Sequence, residues 1–351
     1  MCHLSKNDFL FSSRCGSMQW TRKYNPRTLD DVVGNSHIVS LLQRYTYGEH
    51  GFPNMLFVGP TGSGKSACAK CLVLGYLGDK VKTHLLVIDG SINRGKGIVT
   101  DGAKARTSDY NVNVIVFAKQ MKSRARQKVV LFYNFDNITS EAQVALRSVM
   151  EDYPTIRFLL ISNSLDNVKE AIQSRAVIFN FQALIDSDIK IVLTKIIASE
   201  SAICNDEAIE LITSASNGDL KKAVNMTECF CRGNVLSMHE RTSDAFYSLF
   251  DIPQKEILEK FVNQVLGLNR AGAFDTLRTL VDDSFFNLFD VAGQLFNVII
   301  VQPDKEIVVR LLKPLVICMS KIESESSSLY MYDMLYNMFK SLQQDMTFLR
   351  G

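Results

Sequence analysis

Eight consecutive residues carry the densest chemistry in the chain: GPTGSGKS, Gly59 to Ser66. They match G-x-x-x-x-G-K-[ST], a pattern whose glycines let backbone N–H groups approach phosphate oxygens. In such a loop Lys65 reaches the terminal phosphates of a nucleotide and the Ser66 hydroxyl is a magnesium ligand. Gly59, Pro60, Thr61, Gly62, Ser63, Gly64, Lys65 and Ser66 are therefore the candidate nucleotide-binding residues. A Gly-rich turn can match by chance, so the flanks decide. MLFVG (55–59) is a short apolar run, and SACAKCLVLGYLG after the loop spaces its apolar residues as a helix does. That is the strand–loop–helix setting the chemistry requires.

The elements that must hold such a loop follow along the chain. HLLVIDG (84–90), KVVLFYNF (128–135) and IRFLLISN (156–163) are further apolar runs of strand length, separated by stretches compatible with helices. Strands alternating with helices predict a parallel sheet covered on both faces, an α/β domain over residues 20–182. From residue 183 the period becomes helical, in DSDIKIVLTKIIASESA, NDEAIELITSASNG and DLKKAVNMTECFCRG, with Asn205 and Asp219 placed as caps. A small helical domain is expected over 183–238 and a second all-helical domain over 239–351, while 1–19 reads as a loose extension with no assigned function. In the last domain IPQKEILEKFVNQVLGL, AGAFDTLRTLVDD, NLFDVAGQLFNVII and DKEIVVRLLKPLVICMSKI have amphipathic spacing. No repeat or low-complexity tract interrupts the pattern.

Composition narrows the classes. A chain of 351 residues with 46% hydrophobic content can bury more than one core, and its net charge of +2 gives no global basic footprint for nucleic acid. Contact with nucleic acid would have to be local; the run KQMKSRARQK (119–128) is one place for it, although such a run is more often a solvated connection. The eight cysteines are scattered, which suits reduced thiols better than a disulfide framework, and CAKC (68–71) and CFC (229–231) fall in helical patterns without a His or Cys cluster nearby. No apolar run reaches a membrane-spanning length and the N-terminus lacks the apolar core of a signal peptide, so a soluble, non-secreted protein is expected, with no membrane partner.

Several short motifs, taken in order, carry a resemblance. WTRKYNPRTLDDVVGN (20–35), SINRG (91–95), AQVALRSVMED (142–152), ISNS (161–164), QSRA (173–176) and NGDLKKAVN (217–225) resemble successive signatures of the small subunits of replication factor C, the sliding-clamp loader of the AAA+ ATPases. The likeness is strong over about 20–230 and by pattern only over 240–340. It implies an AAA+ P-loop domain with a parallel sheet, an all-helical lid and an all-helical C-terminal collar through which subunits assemble. It also implies Asn163 as the sensor of phosphate or water, Arg175 as an arginine finger acting in trans, and Lys221 at the lid position where arginine is usual. With lysine there the charge stays but bidentate geometry is lost.

The same resemblance places the magnesium-orienting aspartate and the water-activating glutamate just before the A-Q-x-A-L-R helix. Aligned without a gap, VVLFYNFDNIT (129–139) puts Tyr133 in the aspartate's place and Asn134 in the glutamate's, while Asp136 and Thr139 match. Tyrosine is a poor magnesium ligand and asparagine has no charge to draw a proton from water. Own-site hydrolysis is expected to be severely impaired. A shifted register would let Asp136 serve as the carboxylate. After Arg94 and Gly95 the segment KGIVTDGAKARTSDYNVNVIV is longer than the family pattern, which puts its usual DNA contact in question.

The implied function is a subunit of a hetero-pentameric clamp loader that binds ATP or ADP with Mg2+ and acts with other loader subunits, a sliding clamp and primer-template DNA. The nucleus, or a viral replication compartment, is the expected location. Two rivals stay open, an active ATPase subunit using Asp136 and a scaffold that takes no nucleotide. Against a third, another AAA+ machine such as a branch-migration motor or an initiator, stand the C-terminal hundred residues, which read as long amphipathic helices where a winged-helix DNA-binding domain would be usual.

Overall fold

The structure, a computed structural model, describes residues 18–47, 53–92, 94–99, 113–119, 128–202, 204–232, 243–250, 253–282, 286–325 and 327–348. Most of the N-terminal extension, most of the inserted segment after Gly95 and residues 120–127 of the basic run lie outside the described residues. The chain divides into two compact units, Met1–Val235 and Leu236–Gly351.

The first unit is built on five strands, β1 (Met55–Val58), β2 (Leu85–Asp89), β3 (Lys128–Tyr133), β4 (Ile156–Ser162) and β5 (Val177–Asn180). They form one sheet in the order β2-β3-β4-β1-β5, and every pairing is parallel. Alternate residues feed different cores, as the two-residue period of a strand requires. Leu56, Val58, Val130, Phe132, Phe158 and Leu160 point to one face; Met55, Phe57, Val129, Leu131, Leu159 and Ile161 point to the other.

β5 was not among the expected strands. Its VIFN is an edge strand in which three of four residues are exposed, so it lacks the buried run that marks β1, β3 and β4. Before β1 come α1 (Trp20–Lys23) and α2 (Ser36–Tyr47), and between the strands run α3 (Lys65–Leu77), α4 (Val81–His84), α5 (Val114–Lys119), α6 (Ser140–Asp152) and α7 (Glu170–Gln173). α3 starts directly from the phosphate loop, and Thr139 caps α6 by accepting the Ala142 N–H.

After β5 come α8 (Asp186–Glu200), α9 (Asp206–Ser216) and α10 (Leu220–Arg232), packed on one another. Both expected caps are present: Asn205 accepts from Ala208 N at 3.2 Å and Asp219 from Lys222 N at 2.9 Å. The segment Trp20–Tyr24 is fastened to these helices. Trp20 is buried and its backbone N–H donates to Glu228 of α10 at 2.8 Å, while Lys23 and Tyr24 both donate to Glu200 of α8, at 2.6 and 2.8 Å.

The second unit is helical throughout its described residues: α11 (Ser243–Phe250), α12 (Lys255–Leu266), α13 (Arg270–Val281), α14 (Leu288–Ile300), α15 (Lys305–Ser324) and α16 (Leu329–Phe348). Phe261, Leu277, Leu295, Leu315 and Met334 meet in its core, one from each of α12 to α16. Asn269, Asn287 and Asp304 cap α13, α14 and α15. Among the described residues no helix is long and apolar enough to cross a membrane.

Candidate nucleotide site

The loop Gly59–Ser66 joins the C-terminal end of β1 to the N-terminus of α3, where free helix N–H groups and the helix dipole favour an anion. Lys65 is buried; its ammonium donates to the carbonyls of Gly59 at 2.5 Å and Pro60 at 2.6 Å. Burial pulls its pKa down to about 8, against the opposing pull of the Asp136 and Asp219 charges. Ser63 is also buried and donates to the Pro60 carbonyl at 2.8 Å, tightening the turn. Ser66, in the first turn of α3, is exposed. The cradle of amides around one cation fits a polyphosphate.

Gly62 is needed on two counts. It adopts φ +68°, and a Cβ there would lie 2.0 Å from Asp219 Oδ1. Asn35 stitches the loop to the chain leaving β5: its amide donates to Ser63 O at 3.3 Å and Gln182 O at 3.1 Å, and its oxygen accepts Gln182 N–H at 3.0 Å.

The acidic segment after β3 is rearranged. Tyr133 closes the strand in register with Asp89 of β2, its hydroxyl buried without a hydrogen-bond partner and its pKa pushed well above the ordinary phenol range by burial. It stays a neutral phenol and does not fit the role of an anionic magnesium ligand. Asn134 turns through the left-handed region, φ 50°, and donates to Asp89 Oδ1 at 3.0 Å. The following turn, Phe135–Asn137, presents Asp136. One of its oxygens accepts from Asn163 Nδ2 at 3.4 Å, and the other is buried with no partner. For a magnesium ion, Ser66 and the nucleotide's own phosphates are the donors consistent with this arrangement, and Asp136 is the carboxylate with an uncommitted oxygen.

The loop, Asp136, Asn163 and the start of α10 thus converge. Asn163 follows the C-terminal end of β4, and Lys221 is exposed in the first turn of α10. Arg175 does not join them. Its backbone carbonyl accepts from Asn54, the residue before β1, and Val177 N–H donates to Asn54 O. Arg175 therefore lies at the N-terminal end of β1, about five residues or roughly 16 Å of strand from the phosphate loop. Its guanidinium pairs with Glu151 of α6 and donates to Ala171 O at 2.8 Å.

Other expected features also have a place. Lys128 of the basic run is buried, its ammonium on the Phe117 carbonyl at 2.7 Å and over the Phe117 ring, which takes it away from any phosphate. Cys68 and Cys71 sit in α3 with thiols raised by burial to about 12 and about 11, a setting that keeps them protonated. Among the described residues no group of three or more His, Cys, Asp or Glu is placed to hold a metal. Sequence reading missed Asp89 as a partner within the site, and it named Thr61 in the loop without its bond to Asp219. Asp89 lies 45 residues from Asn134, and only the β2–β3 pairing joins them.

A parallel sheet with a phosphate loop after one strand and a polar segment after another defines a P-loop domain of the AAA type. Residues 55–183 match the family described as "ATPase family associated with various cellular activities (AAA)". The chain is 31% identical over 279 residues to the replication factor C small subunit of Staphylothermus marinus, covering 79% of each chain. It is 32% identical over 278 residues to that of Sulfurisphaera tokodaii, covering 79% of this chain and 80% of the relative. Against that of Methanosphaera stadtmanae it is 29% identical over 333 residues, 93% of this chain and 98% of the relative. The chain belongs to the replication factor C small subunit family. Among solved structures, the Thermotoga maritima RuvB Holliday junction branch migration motor superposes with a TM-score of 0.52 at 15% identity, covering 70% of this chain and 80% of that one, a likeness of fold alone.

Proposed function

We propose that this chain is a clamp-loader subunit that holds ATP or ADP as a structural ligand and contributes catalysis at a neighbour's site. In this reading residues 20–182 are the nucleotide-binding domain, 183–238 the lid and 239–351 the collar through which a hetero-pentamer assembles. The complex opens a sliding clamp and places it on primer-template DNA, in the nucleus or a viral replication compartment. The observation that carries the reading is the pairing of an intact phosphate loop with an acidic segment in which Tyr133 is a buried neutral phenol and Asn134 is tied to Asp89. The position of Arg175, at the far end of β1 from its own loop, supports a role toward another subunit.

Equilibrium titration of nucleotide tests the binding half. Lys65→Ala removes the main cation facing the terminal phosphates and should weaken binding at least about tenfold, or ~1.4 kcal/mol. Equal affinities would remove the nucleotide role and leave a scaffold subunit.

One observation favours a second reading. The uncommitted oxygen of Asp136, its bond to Asn163 and the pull of its charge on Lys65 suit a carboxylate that orients magnesium or water. Steady turnover by the purified chain, abolished in Asp136→Asn, would establish that active subunit; absence of turnover in the unaltered chain supports the first reading.

A further inference from the structure

The phosphate loop and the lid meet at one carboxylate. Asp219 stands immediately before α10 and uses its two oxygens on two different elements. Oδ1 accepts the Lys222 N–H at 2.9 Å and caps α10. Oδ2 accepts the hydroxyl of Thr61, at the tip of the phosphate loop, also at 2.9 Å. The approach is close at the backbone as well, since a Cβ on Gly62 would come within 2.8 Å of Asp219 Cα. Lys221 is two residues further on, in the helical turn that the same carboxylate caps.

We propose that Thr61 and Asp219 form a positioning latch that registers α10, and with it Lys221, against phosphates held by Gly59–Ser66. The proposal rests on the reading of that loop as a polyphosphate site. A cap fixes the end of a helix but says nothing of where the helix stands relative to another element. The Thr61 bond supplies that second coordinate, by tying the capping group itself to the loop. Lys221 is a long, flexible cation, and it acts on a phosphate only if its helix is held within reach of the loop. The Thr61 hydroxyl also partly satisfies a carboxylate that would otherwise face incoming phosphate with an unscreened charge. Neither Thr61 nor Asp219 is required to touch the phosphates.

The test is a double-mutant cycle on nucleotide affinity in the full chain, with thermal unfolding run alongside. Thr61→Val is nearly isosteric at an exposed position and leaves the Asp219 cap intact. It should weaken ATP binding about fivefold, the worth of one hydrogen bond of ordinary strength. Thr61→Ser should restore affinity to within about twofold, because the hydroxyl returns. Lys221→Ala should weaken binding in the unaltered chain, yet make less than about a twofold difference in the Thr61→Val background, the coupling that registration requires. A loop contact of purely structural value would give additive losses instead, and additivity overturns the latch. Thr61→Val binding ATP like the unaltered chain, while Lys65→Ala binds poorly, overturns it too and leaves the nucleotide reading standing. If Lys65→Ala binds as well as the unaltered chain, the nucleotide reading fails and the latch fails with it.

Discussion

Tyr133 ends β3 with its hydroxyl buried and without a hydrogen-bond partner, a situation that costs roughly 1–3 kcal/mol where it persists. A phenol kept neutral by burial contributes shape and not charge, so Tyr133→Phe should leave nucleotide affinity within about twofold and raise stability by up to ~1 kcal/mol. Titration and thermal unfolding check both; a tenfold loss of affinity would mean that the hydroxyl is a ligand after all. Gly59 to Ser66 was legible as a site because loop chemistry is local: glycine, lysine and serine act within eight consecutive positions. The hydrogen bond from Asn134 to Asp89 was not, since neither residue's neighbours in sequence reveal that β2 and β3 bring them to 3.0 Å. Tyr133 in the aspartate's place was visible only through the ungapped alignment of the flanking motifs, with the shifted register through Asp136 left open beside it.

At the scale of elements, the sheet's C-terminal edge tolerates little added volume. A Cβ on Gly90, just after β2, would stand 2.2 Å from the backbone oxygen of Asn134, so Gly90→Ala must push the acidic segment away. A loss of about 1–3 kcal/mol is expected, read as a lower unfolding midpoint; no change would mean that the turn after β3 yields freely. The junction of Trp20–Tyr24 with the lid carries a pH signature. Hydrogen bonds from Lys23 and then Tyr24 hold the Glu200 carboxyl below its usual range, and Glu200 holds the Lys23 ammonium above its own. Glu200 therefore stabilises the fold above the ordinary carboxylate pKa, and the contribution fades as pH falls through the depressed value. Lys23 contributes below the ordinary lysine pKa and loses that contribution as pH rises through the raised value. Glu200→Gln should lower the unfolding midpoint near pH 7, and the deficit should shrink as pH falls below the ordinary carboxylate range; a deficit that does not change with pH would show that the charge is irrelevant. β1, β3 and β4 were readable as apolar runs because they are buried on both faces, and β2, an edge strand only partly buried, because its residues 85–88 are all apolar, whereas β5, exposed at three of four positions, was not. The caps at Asn205 and Asp219 were readable because capping depends on residue type next to a helical period. That Asp219 also holds Thr61 was not, because the partner is 158 residues away.

For the whole molecule, the two compact units divide the work that the family implies: one carries the loop, Asn163, Lys221 and Arg175, and the other is a helical body with its own core. Topology separates Arg175 from the loop it shares a unit with, because it precedes β5 while the loop follows β1, and the two strands run parallel with Met55 opposite Val177. Arg175 is held by Glu151 and Ala171 at that end of the sheet, and the role proposed for it is toward a phosphate outside its own chain. A guanidinium supplied in trans can accelerate phosphoryl transfer by ~10³ or more, by neutralising charge that develops on the transferring group. Single-turnover ATP hydrolysis by assembled complexes in which only the adjoining site is competent measures this directly. Arg175→Ala should slow hydrolysis there at least about tenfold while nucleotide bound in this chain's own loop is retained. Unaltered hydrolysis at the adjoining site, in a complex still intact by size, would contradict the assignment and leave Arg175 a surface residue.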